Sequence, residues 1–185
     1  MEIAAAVLIA FALDAIFGDP GWIPHPIVFI GKLISATENL LRRIIPATKN
    51  GQLVGGFFLT VTVVAISFII PFLAVKYLGM LDWRLGWALQ VFWCWQIFAA
   101  RSLKKEAMRV YDQIEAGNLE EARKYLGFIV GRDTGDMDFD EIEKAVVETV
   151  AENTSDGVTA PMLFMIIGGA PLGFLYKAVN TLDSM

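Results

Sequence analysis

One cysteine, Cys94, and one histidine, His25, stand in 185 residues. A single thiol set in an apolar run forms no intramolecular disulfide and calls for no oxidising compartment, so Cys94 reads as a small buried filler. No Cys/His zinc spacing, no glycine-lysine phosphate loop of the Walker type and no G-x-S-x-G elbow occurs, which leaves the ordinary zinc, nucleotide and hydrolase folds without support. Basic charge is scarce as well. Fifteen Lys and Arg against 20 Asp and Glu give a formal net charge of -5, and a nucleic-acid backbone demands a basic surface, so nucleic acid is excluded as the main partner. The chain starts Met-Glu-Ile-Ala, without the positive stretch of a cleaved signal, and its first apolar segment is therefore read as retained. Internal repeats and low-complexity tracts are lacking too.

What is abundant is apolar residues: 56% of the chain, with a mean hydropathy of +0.55, more than a soluble domain usually carries. The reading is an all-α, polytopic integral membrane protein. Residues 3–17 are apolar but for Asp14 and are short for a span; residues 51–75 carry no charge and are long enough to cross about 30 Å of hydrocarbon, with Pro71 near the far end. Residues 85–100, also uncharged and accompanied by Trp83, Trp87, Trp93 and Trp95, give a third span anchored by interfacial aromatics.

Residues 1–100 thus form a membrane region interrupted by a loop at 18–50. That loop holds Lys32, Arg42, Arg43 and Lys49, against Lys76 and Arg84 in the link at 76–84, so the basic bias places the loop and everything after Ala100 in the cytoplasm. Ile27, Ile30, Ile34, Leu41 and Ile45 recur at helical spacing within it, as in an amphipathic helix lying on the membrane or on its neighbours. Residues 101–156 form a cytoplasmic helical segment. Leu103, Ala107, Val110 and Ile114 stripe a first helix that Gly117 ends; Asn118, boxed with Glu121, starts a second; Asp138 caps a third, with Phe139, Ile142, Val146 and Val150 on its apolar face.

Residues 157–185 form the last region. From 157 to 176 no charge occurs, yet Pro161, Gly168, Gly169, Pro171 and Gly173 interrupt the run, which favours a broken or re-entrant membrane segment over a plain span. A polar cluster, Asn180 to Met185, follows with no element to close it, as at the cut end of a longer chain.

The chemistry gathers around residues 148–156, E-T-V-A-E-N-T-S-D. Glu148 and Glu152 project from one helix face near its negative pole and repel one another, so they call for a compensating cation, either a metal or a basic residue from elsewhere. Lys144, three and four residues from Glu141 and Glu148, accounts for Glu141 as its partner. Glu152, Asn153, Ser155 and Asp156 remain, either as a polar cap or as oxygen ligands for a hard cation such as Mg²⁺ shared with substrate phosphates. His25, held between Pro24 and Pro26, reads on spacing alone as a loop histidine at the headgroup level rather than a catalytic one. Asp14 is a functional candidate because intramembrane charge is costly, unless it reaches the interface from the end of its segment.

Taken together, Leu13-Asp14, Gly18-Asp19-Pro20, Pro24-His25-Pro26, Val130-Gly131-Arg132-Asp133-Thr134, Ala151-Glu152-Asn153-Thr154-Ser155-Asp156-Gly157 with Ala160-Pro161, and the run from Tyr176 to Met185 resemble the cobalamin-biosynthesis family called CbiB or CobD, adenosylcobinamide-phosphate synthase. The resemblance extends over nearly the whole chain. Family members continue past the N-T-L-D-S-M motif with further membrane segments, so the chain resembles their N-terminal portion.

The resemblance implies an ATP- and Mg²⁺-dependent amide ligase in the cell membrane of a prokaryote. It would join the carboxylate of adenosylcobyric acid to (R)-1-amino-2-propanol phosphate, or to the free amino alcohol, giving adenosylcobinamide phosphate. Its partners would be these small molecules, the lipid bilayer and other late enzymes of the cobalamin pathway. In that setting residue type gives Glu152 and Asp156 the metal, with Asp183, and gives Lys177 a phosphate contact. Asn153, Ser155, Asn180, Thr181 and Ser184 would orient substrate or nucleotide, and His25 would serve as base or phosphate contact. Two other readings compete: a membrane sensor or scaffold resembling the AmpE family, and a corrinoid transporter built on the broken segment.

Overall fold

A computed structural model describes residues 2–185, and among them every regular element is helical. In chain order these are α1 (Glu2–Phe17), α2 (Pro26–Ile44), α3 (Lys49–Leu81), α4 (Trp83–Ile97), α5 (Ala100–Glu115), α6 (Leu119–Gly127) and α7 (Phe139–Thr154), then a π-helical turn (Ser155–Thr159) that runs into α8 (Ala160–Asp183).

The boundaries follow local chemistry. His25 caps α2 by accepting the Ile27 N–H, with Pro26 in the first turn, and α2 stops before Pro46, which forces Ile45 into extended backbone. Thr48 caps α3 through Gly51 N–H at 3.1 Å. Asp82 ends α3 and opens α4, its carboxylate accepting Arg84 N–H at 2.8 Å. Gly117, at φ +68°, turns the chain after α5. The box at Asp138 is complete, whereas Asn118 makes only its own half: its side chain accepts from Glu121 N–H, and Glu121 pairs instead with Lys124.

Two apolar cores result. The larger unites α1, α2, α3, α4 and α8 around Val7, Ala10, Ile34, Val63, Phe98 and Met165. A smaller one, Val110, Ala122, Leu126, Ile142 and Ala145, joins α5, α6 and α7. The stripe on α2 is therefore spent on its neighbours: Ile30 and Ile34 lie in the larger core.

Two helical stretches are long and apolar enough to cross a membrane, Lys49–Leu81 and the continuous run Phe139–Asp183. On α3, Phe57, Phe58, Ile70 and Leu81 turn outward and are exposed, which suits a lipid surround better than water. The first and third expected spans differ from this pair. At 16 and 15 residues and about 1.5 Å per residue, α1 and α4 are short, and they lie packed along each other.

The expected break in the last region is present, at Gly168 (φ -143°, ψ 19°) and Gly169 (φ 71°, ψ -161°). Pro161 sits harmlessly in the first turn of α8, and Pro171 opens the half-helix after the break. The polar end corrects the sequence reading, because Asn180 to Asp183 are helical and continue α8. Thr181 Oγ1 donates to Lys177 O at 2.7 Å, folding a polar side chain back onto its own helix and letting it stay in a buried wall.

Candidate functional site

The residues singled out above converge where four pieces meet: the loop after α1, the start of α5, the junction of α7 with the π turn, and the last turns of α8. Asp14 sets the arrangement. It is fully buried, and its Oδ2 accepts Ala100 N–H at 2.9 Å and Arg101 N–H at 3.4 Å, capping α5 from another helix where Ala99 offers no side chain to do so. Its expected escape to the interface is thereby corrected. Gly18, at φ +63° with its N–H on Asp14 O at 2.8 Å, then turns the chain back toward α5.

Asp19, next in the chain, joins three elements. Its Oδ2 accepts the Ser102 hydroxyl of α5 at 2.7 Å and its Oδ1 faces His25 Nε2 at 3.9 Å. Its charge also reaches Lys177 of α8, a buried ammonium that senses Asp156 as well. One nitrogen of His25 is committed: Nδ1 accepts the Ile27 N–H at 3.2 Å, which leaves the proton on Nε2, on the side of Asp19. Burial pushes its pKa below the ordinary 6.5, the Lys177 charge acts the same way, and Asp19 opposes both. A neutral ring whose free lone pair is occupied by a helix cap is poorly placed to take a proton, which argues for a positioning role.

Asp156 is the other hub. Tyr176 and Asn180, one helical turn apart on α8, both reach it, the phenol donating to Oδ1 at 3.3 Å and the amide to Oδ2 at 3.2 Å. The π turn that carries Asp156 adds a residue to the helical ladder, a distortion typical of functional positions, and aims its carboxylate at α8.

Two clefts adjoin this pair. One, of about 340 Å³, is lined by Ser102, Glu106, Asn153, Asp156, Lys177 and Asn180 among others. The second, of about 460 Å³, is lined by Arg132, Glu148, Glu152, Asn153, Asp156, Asn180 and Ser184. Ile129, Asn153, Asp156 and Asn180 line both, so the two clefts adjoin at these residues. Of the residues expected from sequence, Glu152, Asn153, Asp156, Lys177, Asn180 and Ser184 come together here. His25 lines a neighbouring cleft of about 330 Å³ with Asp19 and Gln96. Ser155, Thr181 and Asp183 line neither of the two: Ser155 and Asp183 point outward and are exposed, while Thr181 is bonded back to Lys177 O.

Two local pairings are corrected. Glu141 turns to its own N-terminus, accepting Asp138 N–H at 3.0 Å in the capping box, rather than to Lys144. Glu148 pairs with Arg132 at 2.9 Å, so the compensating cation at that position is a basic residue from elsewhere. Among the described residues no group of three or more His, Cys, Asp or Glu side chains could hold a metal by itself. Glu152 and Asp156 in one cleft nonetheless fit a Mg²⁺ ion, which usually takes one or two carboxylates and completes its shell with water and phosphate. Asp19, Ser102, Arg132 and Tyr176 are the site residues that sequence reasoning left out. Asp19, Arg132 and Tyr176 sit in noticed motifs, but only the tertiary contacts reveal their partners.

A family model described as CobD/Cbib protein matches residues 7–185. Among curated proteins the chain is 50% identical over 184 residues to "Cobalamin biosynthesis protein CobD" of Geobacter metallireducens, covering 100% of the chain and 57% of that relative. It is 45% identical over 180 residues to the protein of the same name from Clostridium acetobutylicum, covering 97% and 56%. It is 42% identical over 177 residues to "Cobalamin biosynthesis protein CbiB" of Salmonella typhi, covering 96% and 55%. The chain thus spans about half the length of the curated relatives it matches. No solved structure matches it.

Proposed function

The chain belongs to the CobD/CbiB protein family, and on that premise we propose that it is the part of a membrane-bound cobalamin-biosynthesis ligase that carries the acid-activating half of the site. The reaction in this reading joins the carboxylate of adenosylcobyric acid to the amine of (R)-1-amino-2-propanol phosphate, or of the free amino alcohol. The observation that supports it is the placing of Asp156 between Glu152 on one side and Lys177 on the other, in two adjoining clefts that share Asn153, Asp156 and Asn180.

A carboxylate is a poor electrophile. In this reading its oxygen attacks the γ-phosphorus of ATP, ADP leaves, and an acyl phosphate forms; the amine then attacks the carbonyl carbon, inorganic phosphate departs, and the amine proton passes to a base. Mg²⁺, when bound, would neutralise charge on the transferring phosphoryl group. Glu152 and Asp156 would hold it, and Tyr176 and Asn180 fix the Asp156 carboxylate so that little reorganisation is needed. Lys177 would bind an anionic oxygen of the acceptor. Asn153 and Ser184 would orient substrate at the cleft walls, and His25 and Asp19 would keep the loop after α1 against Lys177. Helix α3 would cross the cell membrane, with the clefts on its cytoplasmic side. The apolar run broken at Gly168 and Gly169 would enter the membrane and return, since Asp156 before the run bonds Tyr176 and Asn180 at its end.

The test is product formation. Membranes carrying the protein are incubated with adenosylcobyric acid, ATP, Mg²⁺ and aminopropanol phosphate, and the amide is sought by mass spectrometry. The reading predicts an ATP-dependent amide; accumulation of corrinoid inside vesicles without any amide would replace it with the transporter reading.

A further inference from the structure

The larger cleft is acidic in a particular way. Glu148, Glu152 and Asp156 line it, and Arg132 is the one basic side chain among its lining residues. Even with Arg132 counted, the lining is net negative, so a bare polyphosphate would be repelled; its magnesium complex carries less negative charge and brings a cation for which Glu152 and Asp156 are suitable ligands. Arg132 is tied to Glu148 at 2.9 Å, and the pair is exposed, with 51% and 68% of the two side-chain surfaces open. An exposed ion pair of this kind contributes little to stability and exchanges readily. A guanidinium gains more from a phosphate, whose oxygens match its fork in two parallel hydrogen bonds.

The smaller cleft differs. Its cation is the buried Lys177, and of the three acids that line its neighbour only Asp156 is shared, joined by Glu106. Its wall is more apolar, with Leu103, Phe128 and Ile129.

We propose that the larger cleft holds the phosphate chain of a magnesium-bound nucleotide, with Arg132 as its anion contact, and that Glu148 holds Arg132 in the empty protein and releases it to the nucleotide. The assignment rests on the ligase reading and adds the location of the nucleotide to it. The smaller cleft is then left to the anionic acceptor beside Lys177, and the acceptor oxygen meets the γ-phosphorus where the two clefts adjoin at Asp156. No bond beyond those of the proposed reaction is required, since Arg132 and Glu148 exchange only hydrogen bonds.

The two members of one ion pair make the test directional. Mg·ADP binding to the detergent-solubilised protein is measured by calorimetry, with and without Mg²⁺, for wild type, Arg132→Ala and Glu148→Gln. Both positions are exposed, so folding is preserved, and a thermal melt of each variant verifies it. Expected are binding that needs Mg²⁺, a loss of about tenfold or more in Arg132→Ala, and a gain of about twofold or more in Glu148→Gln, which both frees Arg132 and removes a repelling charge. Equal affinities in all three proteins, or losses in both variants, would overturn the assignment while leaving the ligase reading intact. No Mg·ADP binding by wild type would also overturn the assignment, and the amide assay would then decide the reading separately.

Discussion

Asp14 Oδ2 accepts the backbone N–H of Ala100 at 2.9 Å, across 86 residues of sequence. One carboxylate on α1 thereby ends the run of orphan donors at the start of α5 and fixes where Ser102, two residues on, meets Asp19. The other oxygen, Oδ1, is buried with no hydrogen-bond partner among the described residues.

Replacing Asp14 by Ala should therefore cost stability, by about 1–3 kcal/mol from the lost cap and the buried donors left unpaired. The thermal midpoint in detergent is the measurement. Asp14→Asn, which keeps one acceptor oxygen, should fall between wild type and Asp14→Ala.

Gly169 should tolerate no side chain. Its φ of 71° with ψ -161° belongs to a backbone region that glycine alone occupies readily, and an added Cβ would lie 1.7 Å from Gln90 Nε2. Gly169→Ala is expected to destabilise by about 1–3 kcal/mol. Gly21→Ala, where nothing lies within 4 Å of the added carbon, is the matched control and should melt with wild type.

His25 makes stability depend on pH with a definite sign. Its folded pKa lies below 6.5 because burial and Lys177 disfavour the charged ring, so between that value and 6.5 the unfolded chain binds more protons and stability rises with pH. Acidification through the window below 6.5 should lower the melting temperature, and the loss should level off once the folded-state ring has titrated too. His25→Asn keeps a cap for α2 and removes the titration; the melting temperatures at pH 7.5 and 5.5 should differ less in this variant than in wild type.

How much of this was legible in the sequence depended on the range of the interaction. The caps at Asp138 and Thr48, the Gly117 stop and the break at the paired glycines are set by neighbours within a turn, and all but the Thr48 cap were read there directly. Glu141 shows where local arithmetic fails, for an i,i+3 spacing to Lys144 does not say that the carboxylate faces backward into its own cap. Glu148 and Arg132 are 16 residues apart, and Asp14 and Ala100 86; no periodicity announces either pair. The stretches read at 3–17 and 85–100 correspond closely to α1 and α4, at 16 and 15 residues, because apolar composition marks such helices locally. The polar end of α8 read as a cluster with no element to close it because the Thr181 hydroxyl's partner is the carbonyl of Lys177, a backbone group that a list of side chains does not display.

The most direct measurement of the central claim is Mg²⁺-dependent amide formation by Asp156→Asn beside wild type. Asn keeps the size of the side chain and a hydrogen-bond acceptor for Tyr176, but removes the charge that would hold the metal and faces Lys177. The account predicts a loss of about a hundredfold or more in rate, as for an electrostatic group acting on the transition state, and a higher Mg²⁺ requirement in Glu152→Gln. Wild-type rate and unchanged Mg²⁺ dependence in both variants would contradict it.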